Sequence, residues 1–497
     1  MKNINKNLLK IGLLSSMLFG IASCGEPTSS SSPEGSKPSG SSEQTPISSE
    51  QKPTNTIDFE VPEGGFDTTK EVSISFYHTM GQTLLDVFTM YLEEFNEEYP
   101  NIKVKPQFVG NYDDVRDTSI QQISSGEQAC NLAYCYPDHV AMYNQAKSVI
   151  SLDNLIIDED YGLTQEQEED FIEAYYEEGR EFGDGKMYSL PFSKSSEVLY
   201  YDASFFEEHS LNVPDHWFSV DANDTTSMEY VCAEIKKINP DSTPLGYDSD
   251  SNLFITLSAQ SGAEYTSAIG DKFKFNNDEN KAFVKKLCEW RDKGYITTKA
   301  ISGTYTSSLF TALPDAQGVN SRSYMCIGSS AGASYQRPEM VGTNYRFDVG
   351  ICPIPQMDVE NNPAVIQQGP NICIFNDKDP QKVLASWILL KYFTTNVEFQ
   401  AQFSMVSGYS PVIKSVYENV VYKDWLENSD GGLNIQALSV KVTQEQSDWF
   451  YTSPAFVGSS KARDEVGKIV TECLSIRNIT DAQIDSYFAT AITNCEY

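Results

Sequence analysis

Residues 71–78, EVSISFYH, alternate Val72, Ile74 and Phe76 with Ser73 and Ser75. A period of two is that of a strand with one face buried. The next stretch, TLLDVFTMYLEEFNEEYP, sets Leu84, Phe88, Tyr91, Leu92 and Phe95 on one helical face and ends at Pro100. Strand character returns in NIKVKPQFV, with Ile102 and Val104. Strand, helix and strand in immediate succession predict a parallel pair with a right-handed crossover, which confines the chain to α/β architectures. The alternation recurs. YRFDVGICPIP and PNICIFN read as strands, PQKVLASWILLKYFTTNVEFQAQF as one long helix, and KAFVKKLCEWRDKGYI as a helix stopped by Gly294. No repeat of about 20–50 residues is evident.

The beginning of the chain reads differently. Lys2, Lys6 and Lys10 precede the uncharged run IGLLSSMLFGIAS. That run is too short for a membrane span, which needs about 20 residues. It predicts an export signal over residues 1–23. Ile21-Ala22-Ser23-Cys24 resembles a bacterial lipobox, which implies cleavage before Cys24 and lipid on it. Residues 24–57 are rich in Ser, Pro, Gly and Glu and offer little to bury, so they predict a disordered tether. Such a tether would span about 30 Å. The remaining body, about 440 residues, is long enough for two lobes.

The formal charge of −34 argues against nucleic acid, whose phosphates it would repel. Beyond Cys24, nine cysteines are scattered without a C-x-x-C pair, which disfavours zinc ribbons and dithiol redox sites. Cys326 and Cys373 lie in apolar runs and read as small buried hydrophobes. GSSAG (328–332) matches the hydrolase G-x-S-x-G, but that site needs a histidine later in the chain, and His216 is the last of four. No H-E-x-x-H, P-loop or G-x-G-x-x-G occurs, so no metal or cofactor is expected. A carboxylate pair of glycosidase type is the remaining enzymatic reading. The 28 tyrosines beside small polar, glycine-rich turns suit a sugar or polyol, whose C–H faces pack on rings.

Over residues 70–490 the chain resembles the bacterial family 1 extracellular solute-binding proteins of ABC importers. The resemblance is carried by FYHTMGQTLLDVFTMYLEEFNEEYPNIKV, GKMYSLPFSKSSEVLYYDASFFEEHSLNVPDHW, FKFNNDENKAFVKKLCEWRDKGYI, YMCIGSSAGAS, FDVGICPIP and QKVLASWILLKYFTTNVEFQAQFSMVSGYSPV. It implies a two-lobe, type II periplasmic-binding-protein-like fold with crossing hinge strands, the first crossing falling near Phe192 to Val198. Lobe 1 is expected over 58–192 plus 346–390, and lobe 2 over 193–345 plus 391–497. The implied protein is no enzyme. It is a monomer that takes a small polar solute between its lobes and docks on a membrane permease. The glycerol-3-phosphate branch is the most similar, and through it the resemblance implies a ligand set of Tyr112, Asp138, Ser195, Trp217, Ser329, Ser330, Gly369 and Tyr409. The family's arginine has no clean match in AFVGSSKARDEV, where Lys461 stands nearest and Arg463 two further on. A lysine offers only a point charge where arginine offers a planar fork, so a sugar is favoured over glycerol-3-phosphate or a glycerophosphodiester.

Overall fold

The computed structural model describes residues 57–496, apart from Ala222, Gln317, Gly431 and Leu433. Cys24 and nearly all of the residues expected to form the export signal and tether lie outside the described residues.

Two sheets organise the chain. In the first, Val72–His78 lies between Ile102–Phe108 and Leu132–Cys135, both parallel to it; Asn371–Ile374 and Ser189–Pro191 complete five strands in antiparallel pairings. The helix Gln82–Glu98 connects the first parallel pair and buries Val87, Phe88, Tyr91, Leu92 and Phe95, the face its periodicity predicts. Phe88 stacks on Phe393 at 4.4 Å between ring centroids, and Phe192 packs against Phe399 at 5.6 Å. Aromatic pairs in such geometry contribute about 0.5–1.5 kcal/mol beyond their area.

The second sheet centres on the buried strand Ser195–Asp202, flanked by Met325–Ser329 and, on its other edge, by Val349–Cys352 and Val365–Gln368. Leu245–Tyr247 and Ile296–Thr298 extend it in parallel. Its core gathers Trp217, Tyr247, Phe254, Phe283 and Trp290.

Two segments pass from sheet to sheet. One runs from Pro191 to Ser195, the other from Gln368 to Asn371. They lie side by side: Gln368 pairs with Ser195 in the second sheet, and Asn371 pairs with Pro191 in the first. These are the crossing hinge strands. Gly369 lies in the second of them at φ +91°, packed against the first, where a Cβ would stand 2.3 Å from the Ser193 carbonyl oxygen. Only glycine admits both that backbone conformation and that approach.

Three expectations are corrected. Val349–Cys352 and Val365–Gln368 pair with Ser195–Asp202, so this part of 346–390 belongs with the second sheet. Phe393, Phe399, Phe403, Val412, Val416 and Tyr422 pack in the first core, although 391–497 was expected in lobe 2. Local pattern marks a segment as strand or helix, not which sheet or core receives it. The long helix is in fact two, Pro380–Thr395 and Val397–Ser407. Asn396 leaves the helical region at ψ 108°, and its side chain accepts from Phe399 N at 2.8 Å, a cap that starts the second helix. Gly294 ends its helix as expected, at φ +73°.

The nine described cysteines are free, and seven of them, including Cys326 and Cys373, are buried. No helix among the described residues is long and apolar enough to cross a membrane.

Candidate functional site: a cleft between two lobes

A cleft of about 520 Å³ opens between the two sheets and their helices. Four helix starts reach it. Asn111 caps Tyr112–Ser125, accepting from Asp113 N and Asp114 N, and Pro137 begins Pro137–Gln145 on the first-lobe side. Ser249 caps Asp250–Gln260, and Ser459 begins Ser459–Ser475 on the other. Helix starts present positive dipole ends, which suit oxygen-rich ligands.

The first-lobe wall carries Tyr112, Arg116, Tyr136, Asp138 and His139. Arg116 bonds Asp113 and Asp117 at 2.8 Å each and also reaches Ser460 Oγ of the opposite wall at 3.2 Å. Burial pulls the His139 imidazole below its ordinary pKa, despite Asp138 at 4.0 Å. The second-lobe wall carries Asp248, Asn252, Tyr265, Lys299, Ser329 and Arg463. Burial raises the Asp248 carboxyl, while Thr306 N and Oγ1 each donate to it at 2.7 Å.

Glu178, Glu197 and Gln367 form the floor. Lys194, on the first hinge strand, is 0% exposed and Glu178 is 3% exposed. The Lys194 ammonium pairs with Glu178, donates to the Gly369 carbonyl at 3.1 Å and reaches Asn371 Oδ1 at 3.3 Å. Its backbone exchanges two hydrogen bonds with Ser410. One ammonium thus ties both hinge strands to the first lobe.

Of the residues expected at a ligand, Tyr112, Asp138 and Ser329 line the cleft. Tyr409 stands behind Tyr112, their hydroxyls 3.4 Å apart. The other five do not line it. Ser195 is buried within the hinge strand beside Gln368. Ser330 Oγ accepts from Ser196 N at 3.2 Å, and its carbonyl accepts from Ser439 Oγ, so it braces the sheet end. Gly369 packs on Ser193 and Lys194. Trp217 is fully buried in the second core, its indole N–H donating to Gln260 Oε1 at 2.9 Å. Lys461 is about half exposed and pairs with Glu465 one helical turn on. Arg463, not Lys461, faces the cleft, where it donates to Asn252 Oδ1.

Sequence reasoning passed over Glu178, Lys194, Glu197 and Gln367. A signal was available. SKSSEVLYY places a lysine and a glutamate in a strand that is otherwise small or apolar, and VIQQG places two glutamines in another. A charge in such a strand implies a buried partner.

The curated relatives that match include the sn-glycerol-3-phosphate-binding periplasmic protein UgpB of Yersinia pestis, 21% identical over 374 residues, covering 72% of this chain and 78% of that protein. The solved GacH receptor of Streptomyces glaucescens, known unliganded and with acarbose, shares the fold at a TM-score of 0.65 and 14% identity, over 86% of this chain and 98% of that one. UgpB of Mycobacterium tuberculosis, solved with glycerophosphocholine, gives 0.64 and 14% over the same shares. These likenesses carry the two-lobe, type II architecture. Residues 90–429, more than half of the chain, match the bacterial extracellular solute-binding protein family. With that match and a cleft walled by both lobes, the chain belongs to the bacterial extracellular solute-binding protein family.

Proposed function

We propose that this chain captures a sugar or a related polyhydroxylated solute in its interlobe cleft and delivers it, chemically unchanged, to the membrane permease of an ABC importer. The observation that carries this reading is the cleft lining. Tyr112 and Tyr136 line the cleft from the first lobe and Tyr265 from the second, beside the hydroxyls of Ser249 and Ser329 and the Arg463 guanidinium. Ring faces pack against C–H surfaces, and a few polar groups fix orientation. The chain faces the outside of the cell, as its family does. Lipid on Cys24 and a tether over 24–57 would hold it there as a monomer beside the permease.

A second reading has an observation of its own. Arg463 supplies to the cleft the planar guanidinium that Lys461 could not, and such a fork suits a phosphodiester. A glycerol phosphate or glycerophosphodiester is therefore the alternative solute. Several relatives bear names for sn-glycerol-3-phosphate binding, and the mycobacterial structure holds glycerophosphocholine.

The test is a thermal-unfolding panel of maltotriose, ribitol, glycerol-3-phosphate and glycerophosphocholine. At least one is expected to stabilise the protein by about 2.7 kcal/mol at roughly a hundredfold excess over its dissociation constant. No stabilisation by any sugar, polyol or glycerophosphate would contradict the reading. Arg463→Ala is expected to weaken the bound solute roughly 10- to 150-fold, the range of a charge-assisted hydrogen bond. Lys461→Ala should leave affinity within about twofold, since its exposed ion pair contributes little. Calorimetric titration of both variants checks this, and the reverse pattern would return the role to Lys461.

A further inference from the structure

Glu197 lies on the strand Ser195–Asp202 at the cleft floor and is 1% exposed. Its two carboxyl oxygens have separate partners. Asn252 Nδ2 donates to Oε1 at 2.9 Å, and the Tyr247 hydroxyl donates to Oε2. Asn252 is held in place from its backbone, where its N–H donates to the capping Ser249 Oγ at 3.2 Å. With the amide nitrogen committed to Glu197, the amide oxygen turns the opposite way and accepts from Arg463 Nη2. An asparagine amide can be satisfied either way round, and the acceptor on its nitrogen side fixes which.

We propose that Glu197 is a positioning residue for solute capture: through the Asn252 amide it aims the Arg463 guanidinium into the cleft, and the proton on Glu197 governs how freely that guanidinium meets the solute. The proposal rests on the solute-binding reading above. An ionised Glu197 places a negative charge in the same buried network as Arg463, draws the guanidinium to the floor and opposes any anion in the cleft. A protonated Glu197 keeps its hydrogen-bond partners without that charge.

The groups that face Glu197 come from several elements. Burial raises its carboxyl most; hydrogen bonds from Tyr247 and Asn252 and the charge of Arg463 lower it; Asp248 raises it, and the balance stands at about 7. Cys326, from the neighbouring strand, also feels the Glu197 charge. The folded pKa lies above the ordinary value of 4.5, so the carboxyl is neutral below about 7 and ionised above it. Affinity for an anionic solute should therefore fall as pH rises through that value.

The experiment is calorimetric titration of the full chain with glycerophosphocholine and with maltotriose, between about pH 5.5 and 8.5. The phosphodiester keeps its single negative charge and the choline its fixed positive one across that window, and the sugar carries neither, so neither probe titrates and the Arg463 contact is read through the phosphodiester end. Wild type is expected to lose roughly threefold or more in glycerophosphocholine affinity across the window, with a smaller change for maltotriose. Glu197→Gln can still accept from Asn252 and donate to the Tyr247 oxygen, and it should bind with a flat pH profile near the low-pH wild-type level. Glu197→Ala frees the Asn252 amide and should lose about tenfold at every pH. A Glu197→Gln protein that kept the wild-type slope would overturn the proposal, as would a Glu197→Ala protein that bound like wild type. If Glu197→Ala does not fold, the Glu197→Gln profile alone decides. A flat wild-type profile for glycerophosphocholine, or no saturation by it at any pH, overturns this proposal only, whereas the solute reading falls only if no member of the thermal-unfolding panel binds.

Discussion

Lys194→Met is expected to cost about 3–5 kcal/mol of stability, the usual penalty for leaving one partner of a buried pair uncompensated. Lys194 and Glu178 are both almost fully buried, and the ammonium also satisfies the Gly369 carbonyl and Asn371 Oδ1. Removing it leaves Glu178 as a bare carboxylate at the hinge and strips one carbonyl of its donor. The double variant Lys194→Met/Glu178→Leu should recover most of the loss, because replacing a buried pair by apolar groups is often neutral. Urea unfolding of the two proteins checks this. Equal stability of Lys194→Met and wild type would mean that the pair does not hold the hinge strands.

Trp217→Ala should cost about 3–5 kcal/mol by emptying the space of one of the two buried tryptophans of the second core. Trp217 packs against Tyr247 and Trp290, and its N–H satisfies Gln260. Gln260 in turn donates to the carbonyls of Pro355 and Ala364, so the loss reaches the segment leading into the hinge. Trp217→Phe should keep most of the volume and cost less. At a temperature where both variants remain folded, solute affinity should stay within about threefold of wild type. A selective loss of affinity with unchanged unfolding would restore Trp217 as a ligand platform.

Much of the architecture could be read from local pattern. The run from Val72 to Phe108 yields its strand, helix and strand because each element has a single buried face and Pro100 separates two of them. The hinge crossing near Phe192 is legible because 185–202 resembles the family so closely in order and type. What local pattern could not convey is direction. The resemblance implies Trp217 in PDHW as a ligand contact, but nothing local sets which way its indole points. In the fold His216 bridges Ser227 and Gln356, and the indole turns inward. Lys461 and Arg463 lie two apart on one helix, about 200° around its axis, so only the docking of that helix against Asp250–Gln260 decides which one enters the cleft. Ser330 and Gly369, expected at a ligand, instead make bonds that brace the sheet end and the hinge. Glu178 and Lys194 are 16 residues apart in sequence and meet only because the first lobe folds back on the hinge strand.

The measurement that bears most directly on capture between the lobes is an equilibrium titration of the full chain with the solute that stabilises it, followed by release and mass analysis of that solute. One saturable site per chain, weakened roughly 10- to 150-fold in Arg463→Ala, with the solute recovered at its original mass, is the predicted result. Binding unaffected by Arg463→Ala, or a solute returned altered, would contradict it.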